Sequence, residues 1–332
     1  MPLPSLKSLL KPSLKPLFKS DITTGPAFKE RMRLKNGGRL FLIAAPFLIL
    51  IFVFSYLPLY GWIYAFYNFK PGIPLDQTEF VGLLWFKSII ANPATVAEVL
   101  RVMRNTLAIS SIGIITSVIP VIFAIFLMEI RSAWFKKTVQ VLTTLPYFIS
   151  WVLVYSFAFA LFSTDSGLLN QLLLKWGIIQ QNINFLASDS HTWLKMGLWS
   201  LWKYLGWNVI MYLAAIASID PQLYEAAKAD GAGRFRVMWH VTVPGIASTY
   251  CVLLLLQIAN FINNGMDQYF VFQNAINKDH IEVLDLYVYN IGMLGSNFSF
   301  ATAISMLKSI VSVILLFTAN RMSKLFRGET II

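Results

Sequence analysis

Asp189-Ser190-His191 carries the residue types of a nucleophilic triad. Neighbours in a chain point apart whereas triad members meet across space, so the triplet reads as a polar loop. The three histidines, His191, His240 and His280, fall in different segments, and no His-Glu-x-x-His pair stands ready to hold zinc. Gly231-Ala232-Gly233 lacks the following lysine and preceding strand of a phosphate-cradling loop. These residues therefore predict no catalytic, metal or cofactor site on this chain. What remains is the chemistry of polar groups in apolar runs. Gln257, Asn260, Asn264 and Asp267 recur at spacings of three, four and three, one face of a helix that must look at protein or water. Such a face serves helix-to-helix hydrogen bonds or contacts to a polar substrate. Lys203 and Trp207 join them as candidate pathway residues. Lys308 lies twelve residues before Asn320, about 18 Å along a helix, which is too far for its ammonium to snorkel out. A cation at that depth pairs with a carboxylate such as Asp267 or one on a partner subunit, or meets an anionic substrate.

The elements that carry these residues follow from composition. Hydrophobic residues make up 57% of the 332, charged residues 13%, and mean hydropathy is +0.63, against about 25% charged in soluble domains. Uncharged runs at 41–69, 105–128, 138–164, 204–219, 237–266 and 286–307, the last resuming after Lys308, predict an all-α polytopic membrane protein with six spans of about 20 residues. Pro46, Pro58, Pro120 and Pro146 predict kinks within them. Most of the 27 Lys and Arg residues fall in the N-terminal tail, residues 131–137, the loop around Glu225 and the C-terminus. The positive-inside rule then expects both termini and the Glu225 loop in the cytoplasm. The net charge of +11 is a topology signal rather than a nucleic-acid footprint. Residues 1–38 read as a basic cytoplasmic tail, interrupted by prolines and attracted to anionic membrane lipid, without the features of a cleavable signal peptide. A transmembrane domain over 39–327 and a short tail at 328–332 complete the expected organisation. Cys251, the single cysteine, reads as a small packing residue.

Residues 220–244 form a polar insert between apolar segments. Asp220 and Pro221 predict a helix start and Gly231 its stop. A second short helix follows from Gly233, and Pro244 opens the next span. Within it, Glu225-Ala226-Ala227, then Gly231 after three residues, then Val241, Val243 and Pro244 resemble the cytoplasmic loop of type I ABC importer permeases. The spacing is intact, with Val where that pattern has Ile and Leu. The resemblance implies a coupling helix seated in a groove of an ATPase, with Glu225, Ala226, Ala227, Asp230, Gly231 and Pro244 in the docking element and Met238 and Trp239 as apolar anchors. It further implies a second permease subunit, two ATP-binding cassette ATPases that hold ATP and Mg, an extracytoplasmic solute-binding protein, and a bacterial inner membrane. The stretches Pro58-Leu-Tyr-Gly61, Phe69-Lys-Pro-Gly72, Asp285-Leu-Tyr-Val-Tyr-Asn290 and Phe298-Ser-Phe-Ala-Thr-Ala-Ile are similar to the carbohydrate-uptake branch, in particular its lipoprotein-partnered permeases. That implies an oligosaccharide substrate, acidic in the manner of alginate or aldouronate fragments, or neutral as the alternative. The aromatic faces of Trp193, Trp199, Trp202 and Trp207 suit sugar rings as well as a membrane-interface belt. The likeness also implies five core helices and an extra first helix that packs on a partner. A six-helix channel or a membrane-embedded enzyme would need neither an ATPase nor the coupling loop.

Overall fold

Apolar runs broken by proline, glycine and polar caps fold into helices throughout the computed structural model, which describes residues 26–327, with side chains for residue 38 and residues 40–324. Residues 1–25 and 328–332, most of the two expected tails, lie outside the described residues. The chain divides at residue 60. In the first unit, α1 (Pro26–Ile51) starts upstream of the boundary expected at 38 and passes through one wide turn (Phe52–Tyr56) into a tighter helical stretch (Leu57–Phe66) within which the division falls. The change of helical type falls beside Pro58, whose missing N–H and bulky ring prevent a regular α-helix.

In the second unit, Asn92 caps α3 (Pro93–Thr116) by accepting the Ala94 N–H at 3.0 Å, with proline at the first position where its lost donor costs nothing. A short α2 (Leu84–Ala91) precedes it. Ser117 marks a slight break before α4 (Val118–Glu129), and the two form one 37-residue span. Next, α5 (Ala133–Thr144) and α6 (Trp151–Phe162) meet at a 108° bend around Pro146. Then come α7 (Leu168–Lys175), α8 (Thr192–Ala217), α9 (Pro221–Ala229), α10 (Arg234–Val237) and α11 (Val243–Ala259). Short helices α12 (Asp267–Phe272), α13 (Lys278–Ile281) and α14 (Leu284–Tyr289) lead to the long α15 (Phe298–Arg327).

The expected six spans resolve differently. Among the described residues, four helices are long and apolar enough to cross a membrane, and the bent α5–α6 pair makes a fifth when counted as one. The remaining candidate is α8, whose apolar content is diluted by Lys203, Asn208 and its tryptophans. One face of it is packed. Gly197, Lys203, Gly206, Val209, Tyr212 and Ile216 are buried along it, and its neighbours include α3, α4, α5, α11, α13 and the turn at Leu145–Phe148. At Gly206 an added Cβ would stand 2.3 Å from the Thr143 carbonyl oxygen, so only glycine lets α8 lie against the backbone of α5.

Four apolar clusters among the described residues hold the unit together, the smallest joining Leu255 and Ala259 of α11 to Ala319 of α15. Ala124, Leu127, Val209, Tyr212, Ile216, Met238 and Ile246 join α4, α8 and the start of the α11 rod. Ile109, Trp151, Val154, Met196, Tyr269, Phe272 and Leu286 bind α6, α8 and α12. Val102, Leu284, Tyr287, Phe300 and Ile304 tie α14 between α3 and α15.

Candidate docking loop and polar cavity

The 220–244 loop is built by its caps. Asp220 accepts the Gln222 N–H at 2.9 Å and starts α9. At the other end Gly231 adopts φ +72°, its N–H bonds the Lys228 carbonyl at 3.0 Å, and the Ala232 N–H reaches back to Ala227 at 2.9 Å. This paired arrangement closes helix C-termini and favours glycine, because side chains resist the left-handed region. Glu225, Ala226 and Asp230 are exposed on α9 and Ala227 is half-buried. Tyr224 and Thr242 meet at 3.2 Å and fasten α9 to the second piece. That second piece is not separate: Arg234–Ala259 runs as one helical rod, with Pro244 inside it near the start of α11. The expected anchor Met238 is a correction, since it is buried in the chain's own cluster with Ala124 and Ile246. A wide turn at Met238–Thr242 resets the helical register and faces Met238 inward. Trp239 and Phe235, 70% and 77% exposed, project instead; Phe235 was not among the expected anchors.

Asn260, Gln257 and Asn264 do share a site, though by another route than one helical face. The helix ends at Ala259, where the Asn260 side chain donates back to the Leu256 carbonyl at 3.0 Å, and the chain turns through Gly265 at φ +71° before α12 begins. The three amides line a cavity of about 420 Å³ with Ser110, Thr116 and Ser117 of α3 and α4, Ser200, Tyr204 and Asn208 of α8, and Tyr269. Ser110 organises the turn, donating to the Phe261 carbonyl and accepting from Asn264 Nδ2 at 2.9 Å. Ser110, Thr116, Ser117 and Asn208 were missed in sequence, although their polarity inside uncharged runs was the available signal. Set among apolar neighbours such as Leu201, Met211 and Leu254, these amides and hydroxyls present both donors and acceptors, the equipment for a hydroxyl-rich solute.

Asp267 stands apart from the amides, in a second depression of about 630 Å³ with Tyr147, Trp151, Lys203, Tyr204 and Phe270. Lys203 also faces this depression, yet its ammonium is occupied. Its Nζ donates to the carbonyls of Pro146, Tyr147 and Ile149 and lies 5.4 Å from the Trp151 ring centre. Trp207 stacks flat on Tyr147, with ring centres 4.3 Å apart and planes 4° from parallel.

Lys308 does not pair with Asp267. Its partner is Asp285, on α14, whose other carboxylate oxygen accepts the Gly265 N–H at 2.8 Å. A tertiary contact between loop and span, invisible to periodicity, supplied the counter-ion. The triad-like triplet is likewise redirected. Asp189 pairs with His280 at 2.6 Å, while Ser190 Oγ does reach the His191 ring at 2.7 Å, contrary to the expectation that neighbours diverge. The carboxylate is turned away from that histidine, and all three side chains sit on an exposed loop.

Residues 117–325 match the family of binding-protein-dependent transport system inner membrane components, a stretch that includes the capped loop and the α11 side of the cavity. The chain belongs to that family. Its members are transport subunits, so this permease is a membrane transport subunit and not an enzyme. It is 37% identical to Protein LplB of Bacillus subtilis (strain 168) over 309 residues, which cover 93% of this chain and 95% of LplB. It is 39% identical to the polygalacturonan/rhamnogalacturonan transport system permease protein YteP of the same organism, over 88% of this chain and 89% of YteP. Its fold matches the crystal structure of a bacterial alginate ABC transporter in complex with an alginate pentasaccharide-bound periplasmic protein. There the TM-score is 0.79 at 27% identity, covering 90% of this permease and 99% of that chain.

Proposed function

We propose that this permease is one of two membrane subunits of an ATP-driven, binding-protein-dependent importer of oligosaccharides in a bacterial inner membrane. The Glu225 loop and both termini face the cytoplasm. Two ATPase subunits hold ATP and Mg and dock at the loop, and an extracytoplasmic binding protein delivers the sugar. The observation that carries the reading is a rigidly capped, exposed loop at one end of the Arg234–Ala259 rod and the amide wall of a polar cavity at the other. Docking on one end and solute on the other is the arrangement a coupled importer needs.

The substrate is a fragment of a uronic-acid polymer, a reading supported by the polygalacturonan named for YteP and the alginate of the structural relative. A second reading, a neutral oligosaccharide, is favoured by one observation: the polar side chains on the cavity wall are amides and hydroxyls with no charged group among them, while Lys308 is spent on Asp285 and Lys203 on carbonyls. Reconstitution of the complete transporter with labelled galacturonate and arabinose trisaccharides tests both. ATP-dependent uptake of the acidic sugar alone supports the first reading, and uptake of the neutral sugar alone replaces it with the second. Uptake by this chain without any ATPase overturns the importer reading.

A further inference from the structure

We propose that Asp285 is a positioning residue for sugar binding: although it does not line the cavity, its carboxylate holds the polar turn 260–265 in the shape that presents Asn260 and Asn264 to the solute. The proposal rests on the reading of the cavity as part of the sugar's path.

The turn needs an external fastening. It lies past the end of α11, and Asn260, Asn263 and Gly265 are exposed. On one side Ser110 of α3 holds Phe261 and Asn264. On the other side Asp285 Oδ2 accepts the Gly265 N–H at 2.8 Å, a hydrogen bond strengthened by the carboxylate's charge. Gly265 occupies the left-handed region, so its amide points to Asp285 only while the turn keeps this conformation.

Asp285 is a firm anchor because its own helix is firm. Leu284, Leu286 and Tyr287 are buried around it, packed between α3 and α15 and against α6. A carboxylate at this depth needs a counter-ion to remain charged. Lys308 of α15 is that counter-ion, with the Asp285 and Lys308 side chains only 20% and 15% exposed. One helical turn further along α15, Ser312 Oγ accepts from Asn263 Nδ2 at 3.2 Å, so the turn is held to the same helix face at a second point. Lys308 thus serves the cavity through Asp285, and no sugar contact by Lys308 is needed.

This division of labour separates the ion pair from the positioning bond, and substitutions can do the same. The measurement is the half-saturating concentration for uptake by the complete transporter. Its probe is the labelled oligosaccharide that the unaltered transporter takes up best from hydrolysates of polygalacturonan, arabinan and alginate. Basal ATPase activity and the melting temperature of the complex are recorded in parallel. Asp285→Leu should raise half-saturation about tenfold, the loss expected for one charge-assisted hydrogen bond. Exchanging the pair (Asp285→Lys with Lys308→Asp) should restore the melting temperature but leave half-saturation raised, because a lysine cannot accept the Gly265 N–H. Asp285→Asn combined with Lys308→Met has no ion pair but keeps an acceptor, and should transport with near-normal half-saturation. Recovery of half-saturation in the exchanged pair, or a rise in the Asn/Met double variant equal to that of Asp285→Leu, would reduce Asp285 to a structural ion-pair member and overturn the proposal. Asn260→Ala and Gln257→Ala distinguish the two levels of failure. If they raise half-saturation and Asp285→Leu does not, only the positioning role falls; if neither moves it, the cavity reading falls and the positioning role with it.

Discussion

Lys203 Nζ lies 3.0 Å from the carbonyl oxygen of Pro146, and the same ammonium reaches the carbonyls of Tyr147 and Ile149. These carbonyls lie where α5 stops and the chain bends by 108° into α6, and among them only that of Pro146 also accepts a backbone N–H, a long 3.4 Å bond from Ile149. A lysine on α8 therefore does for this break what a C-terminal cap does for an ordinary helix end, and it satisfies backbone that lipid could not. Its ammonium is occupied by the chain's own backbone rather than free on the wall of the depression.

Lys203→Met should accordingly destabilise the assembled complex, by about 2–4 kcal/mol for stranding buried carbonyls. Its preference between acidic and neutral sugars should not change. Thermal unfolding in detergent, set beside uptake of both sugars, checks this; a shifted preference at unchanged stability would return Lys203 to the substrate path.

Gly206→Ala tests the contact between α8 and α5. The added carbon would fall 2.3 Å from the Thr143 carbonyl oxygen, so the helices must separate, at a cost of about 1–3 kcal/mol for overpacking. Reduced membrane yield and a lower melting temperature are expected. Wild-type values for both would show that the helices tolerate a wider spacing.

Gly231→Val forces a β-branched residue into φ +72°, about 1–2 kcal/mol of local strain at an exposed turn. Glu225→Lys reverses an exposed charge on α9. Both variants should insert and assemble yet lose binding-protein-stimulated ATP hydrolysis and uptake together. Proteoliposome assays decide, and undiminished transport in both would remove the loop from coupling.

Met238 and its neighbours give a sharper contrast. Trp239→Ser and Phe235→Ser alter only exposed surface, so they should weaken recovery of the ATPase with the purified permease while leaving the permease's own melting temperature intact. Met238→Ala opens space in the cluster around Ile246 and should do the reverse, costing about 2–4 kcal/mol. Equal behaviour of the three variants would mean that the inward turn of Met238 is not maintained in the complex.

The helices were legible because a membrane span announces itself by composition over twenty residues, and the docking loop because Asp220 and Gly231 are local conformational requirements. The count of spans was not. Lys203 and the tryptophans of α8 dilute its apolarity, and only packing against its neighbours shows why the helix tolerates them. Gln257, Asn260 and Asn264 do line one cavity, but their helical periodicity was accidental, since the helix that the spacing implied ends at Asn260. Asp285 was quoted in a stretch of resemblance and given no role, because its partners Lys308 and Gly265 come near only after α14 folds between α3 and α15. Met238 was misplaced by one wide turn, an insertion that leaves no mark in amino-acid type.

The continuity of the Arg234–Ala259 helix has a mechanical consequence. Its 26 residues make a stick about 39 Å long, with Phe235 near one tip and Gln257 near the other. Near its middle the stick rests on Ile219, whose side chain leaves no room for a Cβ on Gly245. A bearing there makes nearly equal arms, ten residues to Phe235 and twelve to Gln257, about 15 and 18 Å, so a tilt about Ile219 would carry the two tips by similar distances in opposite directions. A rigid rod rocking there would link the Phe235 tip to the cavity wall at Gln257 without a flexible joint between them.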